Sequence, residues 1–234
     1  MQIPIRTILR AGDILKKTDK INSYLIIGCG RFGGRSVEKL YRKDPWSKIT
    51  VVDKDKEAIK KISCLPVETV VNDGLLYLDH FLSGGRKADY IIPAVPFHLA
   101  FEFILSQLTP LGARRREIPD VAGVPNPMIG NTADLYTSFA DFLCPEDCSE
   151  PLHCSVTGKH RPKPLFRILM NLPGPFESKV IHSQQLGQGV GGFRLERLLN
   201  LTKELKKKKY KEQLILVSTA CRCHGVASAL SFKK

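Results

Sequence analysis

An α/β fold, with a parallel sheet covered by helices on both faces and a cysteine-rich, less regular C-terminal half, is predicted by three features of the sequence. Short apolar runs alternate with helical stretches across residues 22–108. Glycines close the first of those runs. Turn residues and cysteines crowd the chain beyond Pro110. Alternation of this kind implies right-handed crossovers between neighbouring parallel strands.

The elements follow in order. SYLIIG at 23–28 is a buried strand ending in a glycine, and a helix is expected over 31–42. KITVVD at 48–53 gives the second strand, 55–62 a helix, PVETVV at 66–71 the third strand and 75–82 a helix. ADYIIPA at 88–94 is the fourth strand, with a helix over 98–108. Residues 124–132 and 144–154 read as turn-rich loops. A short helix is expected over 164–172, a strand over 178–185, a long helix over 193–209 and an apolar strand, QLILVST, over 213–219. That last strand is expected to join the first sheet. Residues 1–110 then form the first unit, and 111–234 an α/β extension that completes the sheet and carries the cysteine-rich insertion. No repeat with a period of 20 to 50 residues is visible.

The 234 residues are 43% hydrophobic and 25% charged, which excludes wholesale disorder. No apolar run reaches the roughly 18 to 20 residues that span a bilayer. The first twenty residues lack the continuous apolar core of a secretory signal. Seven cysteines, an odd number in a chain too long to need disulfide staples, point to a reducing compartment, so the cytoplasm is the expected location. The net charge of +13 favours anionic partners. Part of that excess is the lysine run at 206–209 with Lys211, where cations complement the negative end of a helix dipole. No aromatic interleaving accompanies it, and nucleic acid is not favoured.

Gly28-Cys29-Gly30-Arg31-Phe32-Gly33 is a G-x-G-x-x-G placed between a strand and a helix, the context that gives the motif meaning. Gly28 permits the tight turn, Gly30 lets the backbone approach a pyrophosphate, and Gly33 lets the helix pack on the strand. The phosphates would sit on the free N–H groups of the helix. Asp53, at the end of the second strand, can accept bonds from both ribose hydroxyls and would repel a 2′-phosphate. NAD is therefore expected over NADP, with Lys54 and Lys56 softening the repulsion. Strand, glycines, helix, strand and acid together predict a Rossmann-type site for an adenine dinucleotide.

These residues, with Val52-Asp53-Lys54-Asp55, Asn72-Asp73-Gly74 and Ala88-Asp89, resemble the nucleotide-binding half of the potassium-conductance regulator family over residues 22–108. The resemblance implies that Gly28, Gly30, Arg31 and Gly33 line the phosphates, and Cys29 and Phe32 of the same turn are expected to belong to the cofactor-binding stretch. It also implies that Asp53 binds the ribose and that Asp73 lies near the adenine; Lys54, next to Asp53, is expected among the cofactor-binding residues. By the same resemblance the chain is expected to be a nucleotide-responsive regulatory or sensor module with a membrane transport protein as its partner; a homo-oligomer is expected because edge strands and helices of Rossmann proteins often form dimers. The family's usual Gly-Asp-Ala is Asn72-Asp73-Gly74 here, and its second, ligand-binding domain has no counterpart.

Pro93-Ala94-Val95-Pro96-Phe97-His98 resembles the turn after strand four in Rossmann-class dehydrogenases. That resemblance puts Ala94 and Val95 near the nicotinamide side and makes His98 a candidate proton donor or acceptor. A helix-capping or surface histidine is the alternative.

Five cysteines form two clusters: Cys144, Cys148 and Cys154 in a turn-rich segment, and Cys221 and Cys223 in Cys221-Arg222-Cys223-His224. Cys29 and Cys64 stand apart. Thiolates with imidazole suit zinc, and four thiolates suit an iron–sulfur cluster. The simplest closed zinc site uses Cys144, Cys148 and Cys154 with Cys221 or Cys223. Buried thiols that serve as small hydrophobes, or a redox pair, are the alternatives. An NAD-dependent oxidoreductase using the cysteine or metal centre, with His98 or Cys223 in the chemistry, is the rival reading. The stretch 185–192 is rich in glycine but lacks the Lys-Ser/Thr of a P-loop.

Overall fold

The computed structural model describes residues 22–130, 132–207 and 213–232. Residues 1–21, and with them the N-terminal stretch that lacks a signal-like apolar core, lie outside the described residues, as do Lys208, Lys209 and Lys211 of the basic run.

Strand β1 (Ser23–Ile27) is flanked in parallel by β2 (Lys48–Asp53) and β4 (Tyr90–Pro93), and β3 (Glu68–Val71) lies parallel beyond β2. Helices α1 (Arg31–Lys43), α2 (Lys56–Lys60) and α3 (Gly74–Ser83) make the connections, and α4 (Leu99–Leu108) follows β4. The order β3-β2-β1-β4 puts the reversal of winding between β1 and β4, where open α/β sheets bind ligands. Strand β1 buries both faces, as its unbroken apolar run requires. Helix α1 turns Gly33, Ser36, Val37 and Leu40 inward, an i, i+3, i+4, i+7 stripe.

Two strands from the second half extend this sheet in the antiparallel sense. Strand β9 (Gln184–Gly187) pairs with β10 (Val190–Arg194), and β10 pairs with β4. Gly192 permits the approach, because a Cβ there would lie 2.6 Å from Leu186 Cδ1 and 2.8 Å from the Ile91 carbonyl oxygen.

A second sheet holds β6 (Met128–Ile129), β7 (Leu135–Ser138), β12 (His224–Phe232), β11 (Leu214–Ala220) and β8 (Phe176–His182) in that order, with β5 (Ala113–Arg116) also on β12. The strand expected over 213–219 lies here as β11, not in the first sheet. Its apolar run signals burial but names no partner. Parallel pairing with β8 and antiparallel pairing with β12 decide where it goes. The strand expected over 178–185 divides at Ser183 into β8 and β9, which belong to different sheets. The long helix begins later than expected, as α6 (Leu195–Lys207), because β10 takes residues 193 and 194.

Helices α3, α4 and α6 form a layer between the two sheets. Leu25, Ile27 and Ile91 meet Phe101 and Ile104 from one side, and Ile215, Val217 and Leu230 close the same core from the other. Helices α1 and α2 cover the outer face of the first sheet, and α5 (Leu165–Met170) that of the second. Phe101 is fully buried in the shared core, where truncation to alanine costs about 3–5 kcal/mol. Among the described residues no helix is long and apolar enough to cross a membrane.

Candidate functional site

The glycine turn has the geometry its spacing predicts. Gly28 sits at φ 99°, and a Cβ there would lie 2.3 Å from the Ala94 carbonyl oxygen. A Cβ on Gly33 would lie 1.9 Å from the Gly28 carbonyl oxygen, so the helix reaches the strand only without one. Gly30 has no atom within 4 Å of its would-be Cβ: its missing side chain leaves open space. It is also the N-cap of α1 and offers no side-chain cap, and no acidic residue occupies the first turn. Among the described residues the positive end of the helix dipole therefore has neither a side-chain cap nor a first-turn carboxylate, the condition in which a helix N-terminus suits an anion.

Asp53 lies beside this turn at the end of β2. One carboxylate oxygen accepts the Cys29 N–H at 2.6 Å and the other the Asp55 N–H at 2.8 Å. Lys54 follows Asp53 toward α2, whose N-cap is Asp55. Asp73 caps α3 by accepting the N–H groups of Leu75 and Leu76 at 2.9 and 3.0 Å. Ala94 packs on Gly28 and Gly33, with the Val95 side chain next to Gly28. The Cys29 thiol points away from the turn into the α2 packing, donating to the Ala58 carbonyl at 3.4 Å, and burial raises its pKa.

A second wall faces the turn. Glu146, in the loop after β7, pairs with Arg31 and Arg35 on α1, and these guanidinium groups hold its carboxyl below the usual carboxylate range. Lys39 on α1 donates to the backbone carbonyls of Glu146 at 3.0 Å and Gln188 at 2.7 Å. Gly189, at φ 67°, makes the β9–β10 turn, and a Cβ there would lie 1.9 Å from the Glu146 carbonyl oxygen. Its N–H goes to the Cys148 carbonyl at 3.2 Å, so the second glycine-rich stretch is a packed turn. Between these walls lies a cavity of about 510 Å³, bounded by Arg31 and Phe32 on one side and by Cys144, Cys148, Glu150, Cys221 and His224 on the other. Phe32 and Leu143 at its rim are 67% and 93% exposed, so the cavity mouth carries uncovered apolar surface.

The predicted thiols separate into two environments. Cys221 begins the turn out of β11, and its sulfur accepts the His224 N–H at 3.2 Å. Burial and the Glu150 carboxylate push the Cys221 thiol up. Glu150, Cys221 and His224 bring one ligand atom each within 4.8 Å of one another. Cys144 lies 3.6 Å from His224 Nε2. Cys223 is 1% exposed, and its sulfur accepts from Arg161 Nη1 at 3.1 Å. Cys148 accepts the Glu150 N–H at 3.4 Å. Cys154 is drawn down to about 7 by hydrogen bonds from the Thr157 hydroxyl and from the amides of Thr157 and Val156. Of the five thiols singled out from sequence, Cys221 alone belongs to the compact donor group. Its other members, Glu150 and His224, were not singled out, although His224 directly follows Cys223 and Glu150 lies two residues after Cys148.

His98 neither caps α4 through its side chain nor lies on the surface, being 2% exposed. Ser228 donates to Asp134, so it must accept from His98 Nδ1, 2.8 Å away, while Nε2 accepts from Thr219 at 2.9 Å. Burial depresses its pKa to about 3, so it is neutral. With both nitrogens engaged inside the second sheet, it is a packed core histidine. Neither His98 nor Cys223 borders the cavity at the glycine turn.

A glycine turn at the switch point of a parallel sheet defines a Rossmann-type domain. Comparison with known families agrees, since the model described as the TrkA-N domain matches residues 24–78, inside the region that resembles the potassium-conductance regulators. The chain belongs to the AF_1314_C family, described as "Uncharacterized protein, C-terminal domain", whose model matches residues 100–233, more than half of the chain. A relative from Archaeoglobus fulgidus, described as an uncharacterized protein, is 29% identical over 229 residues, covering 88% of this chain and 98% of that one. No solved structure matches at a significant level.

Proposed function

We propose that the chain binds an adenine dinucleotide, NAD(H), across the glycine turn and acts as a nucleotide-responsive regulatory module. The observation that carries this reading is the uncapped α1 N-terminus behind Gly30, with Asp53 beside it. The pyrophosphate would sit on the first-turn N–H groups, and the adenosine ribose would bond the lone pairs that Asp53 still has to offer. The other half of the ligand would enter the cavity.

The response follows from Glu146. It pairs with Arg31, which flanks the phosphate position, so a bound pyrophosphate competes for that guanidinium and loosens the loop that Glu146 anchors. Ligand binding then favours one of two arrangements of a surface segment, which a membrane transport partner or a second copy of the chain can read. The oxidoreductase reading is weaker, because His98 is sequestered and Cys223 is held by Arg161 away from the cavity. The cysteine-rich region is read as a metal site of the zinc type, since its compact donor group mixes nitrogen, oxygen and sulfur rather than offering four thiolates.

Calorimetric titration of the full chain with NADH, NAD+, NADP+ and ADP tests the proposal, with light scattering on the same samples. Binding of NADH that is weakened at least tenfold in Asp53→Asn, with NADP+ weaker than NAD+, is expected. Absence of binding by all four at millimolar concentration would sink it. Turnover of NADH with an acceptor, lost in Cys223→Ser, would favour the oxidoreductase instead.

A further inference from the structure

We propose that Glu150, Cys221 and His224 hold one divalent transition-metal ion in a three-ligand site whose fourth position opens on the cavity. The inference deepens the reading of this region as a metal site and replaces the closed, cysteine-only arrangement that the spacing of the thiols suggests. It does not depend on nucleotide binding.

The donors are fixed by the backbone around them. Cys221 leaves β11 and His224 begins β12, and the Cys221 N–H donates to the His224 carbonyl at 2.9 Å, which pins the two ends of the turn together. Glu150 comes from a distant loop, but the Arg222 N–H donates to its Oε2 at 3.0 Å and aims the carboxylate at the turn. Glu150 also holds φ at 55°, a left-handed conformation rare for a glutamate and maintained here by those surroundings.

The distances suit an ion. Sulfur and nitrogen bound tetrahedrally to zinc at ordinary bond lengths lie about 3.6 Å apart. Cys221 Sγ and His224 Nδ1 are 3.9 Å apart. An ion on the Nδ1 side takes the place of the Cys221 thiol proton, which is released to solvent. The opposite nitrogen, Nε2, then carries the hydrogen and points at Cys144 Sγ, 3.6 Å away. That contact is the outer partner that orients a ligating imidazole. Three protein ligands with an open fourth position are the arrangement of zinc sites that bind or activate a substrate. All three residues line the cavity that reaches Arg31 and Phe32, so the open position faces the space in which an anionic ligand at the glycine turn would end.

Cobalt(II) titration of the metal-stripped full chain under anaerobic conditions tests this. One equivalent should bind, with the charge-transfer band of a single thiolate and with ligand-field bands that shift when azide is added. Glu150→Gln, Cys221→Ser and His224→Ala should each weaken cobalt binding at least tenfold with an unchanged circular dichroism spectrum. Cys148→Ser and Cys154→Ser should bind as the wild type does. His224→Ala and Glu150→Gln keep the test decisive if loss of the buried Cys221 disturbs folding. Binding lost in Cys148→Ser or Cys154→Ser but retained in His224→Ala would overturn this ligand set and leave a metal site elsewhere among the thiols. A spectrum indifferent to azide would overturn the open position. No binding at all would overturn the metal reading itself.

Discussion

The two walls of the cavity are made of different materials. The wall at β1 and α1 is backbone: a glycine at positive φ, a helix close enough to touch the strand, and first-turn amides that the N-cap, Gly30, has no side chain to cap. The facing wall is side chain: a carboxylate, thiols and an imidazole delivered by the loop at 144–150 and the turn at 221–224. A backbone site is set by sterics and is preorganised wherever the turn forms. A side-chain site is set by proton and metal chemistry, and here its loop is anchored across the cavity, by Glu146 on Arg31 and Arg35. The first should therefore fail by misfolding, and the second by changes in pH, metal or ligand.

The largest effect should separate two glycines in one motif. Gly33→Ala places a methyl 1.9 Å from the Gly28 carbonyl oxygen, and urea unfolding should show a loss of about 3 kcal/mol or more. Gly30→Ala meets nothing within 4 Å, so its stability should stay near the wild-type value while NADH affinity falls. Equal destabilisation by both would mean that the turn is a packing device with no ligand side.

The second sheet should be the acid-sensitive part. His98 has a pKa of about 3 in the folded chain against 6.5 unfolded, so between those values the unfolded chain binds the extra proton. Its contribution is fully present above pH 6.5 and is lost as pH falls toward 3, at about 1.4 kcal/mol per pH unit. From pH 6.5 to 4.5 the wild type should lose about 2–3 kcal/mol more than His98→Gln does. The readout is the slope and not the absolute stability, which the substitution also lowers. Parallel slopes would mean that His98 is hydrated rather than sealed by Ser228 and Thr219.

The backbone wall was legible in the sequence because everything that makes it lies close together: a run of apolar residues, three glycines at fixed offsets and an acid one strand later. The parallel strands β1 to β4 were legible for the same reason, each closing on its neighbour through a short helix. The second sheet was not. Strand β12 reads His-Gly-Val-Ala-Ser-Ala-Leu-Ser-Phe, with alanine and serine where alternating large residues would signal a strand. Strand β11 gave a clear apolar run, but whether it joins β4 or β8 depends on contacts across the molecule. Glu150 looked like one acid among many, since its chemistry arises only when the Arg222 amide turns it toward Cys221 and His224.

The smallest effect expected bears most directly on how the two walls communicate. Glu146 is partly exposed and its pairs with Arg31 and Arg35 are screened, so each is worth little to stability. A pyrophosphate at Gly30 must nevertheless draw Arg31 away from that carboxylate. Glu146→Gln removes the competitor while the Lys39 bonds to the backbone carbonyls at 146 and 188 stay in place. NADH should then bind roughly two- to fivefold more tightly, with almost no change in melting temperature. The gain should shrink as salt rises, because screening already weakens the pair in the wild type. If affinity falls instead, Glu146 is holding Arg31 in its binding position. The side-chain wall would then support the backbone wall rather than compete with it.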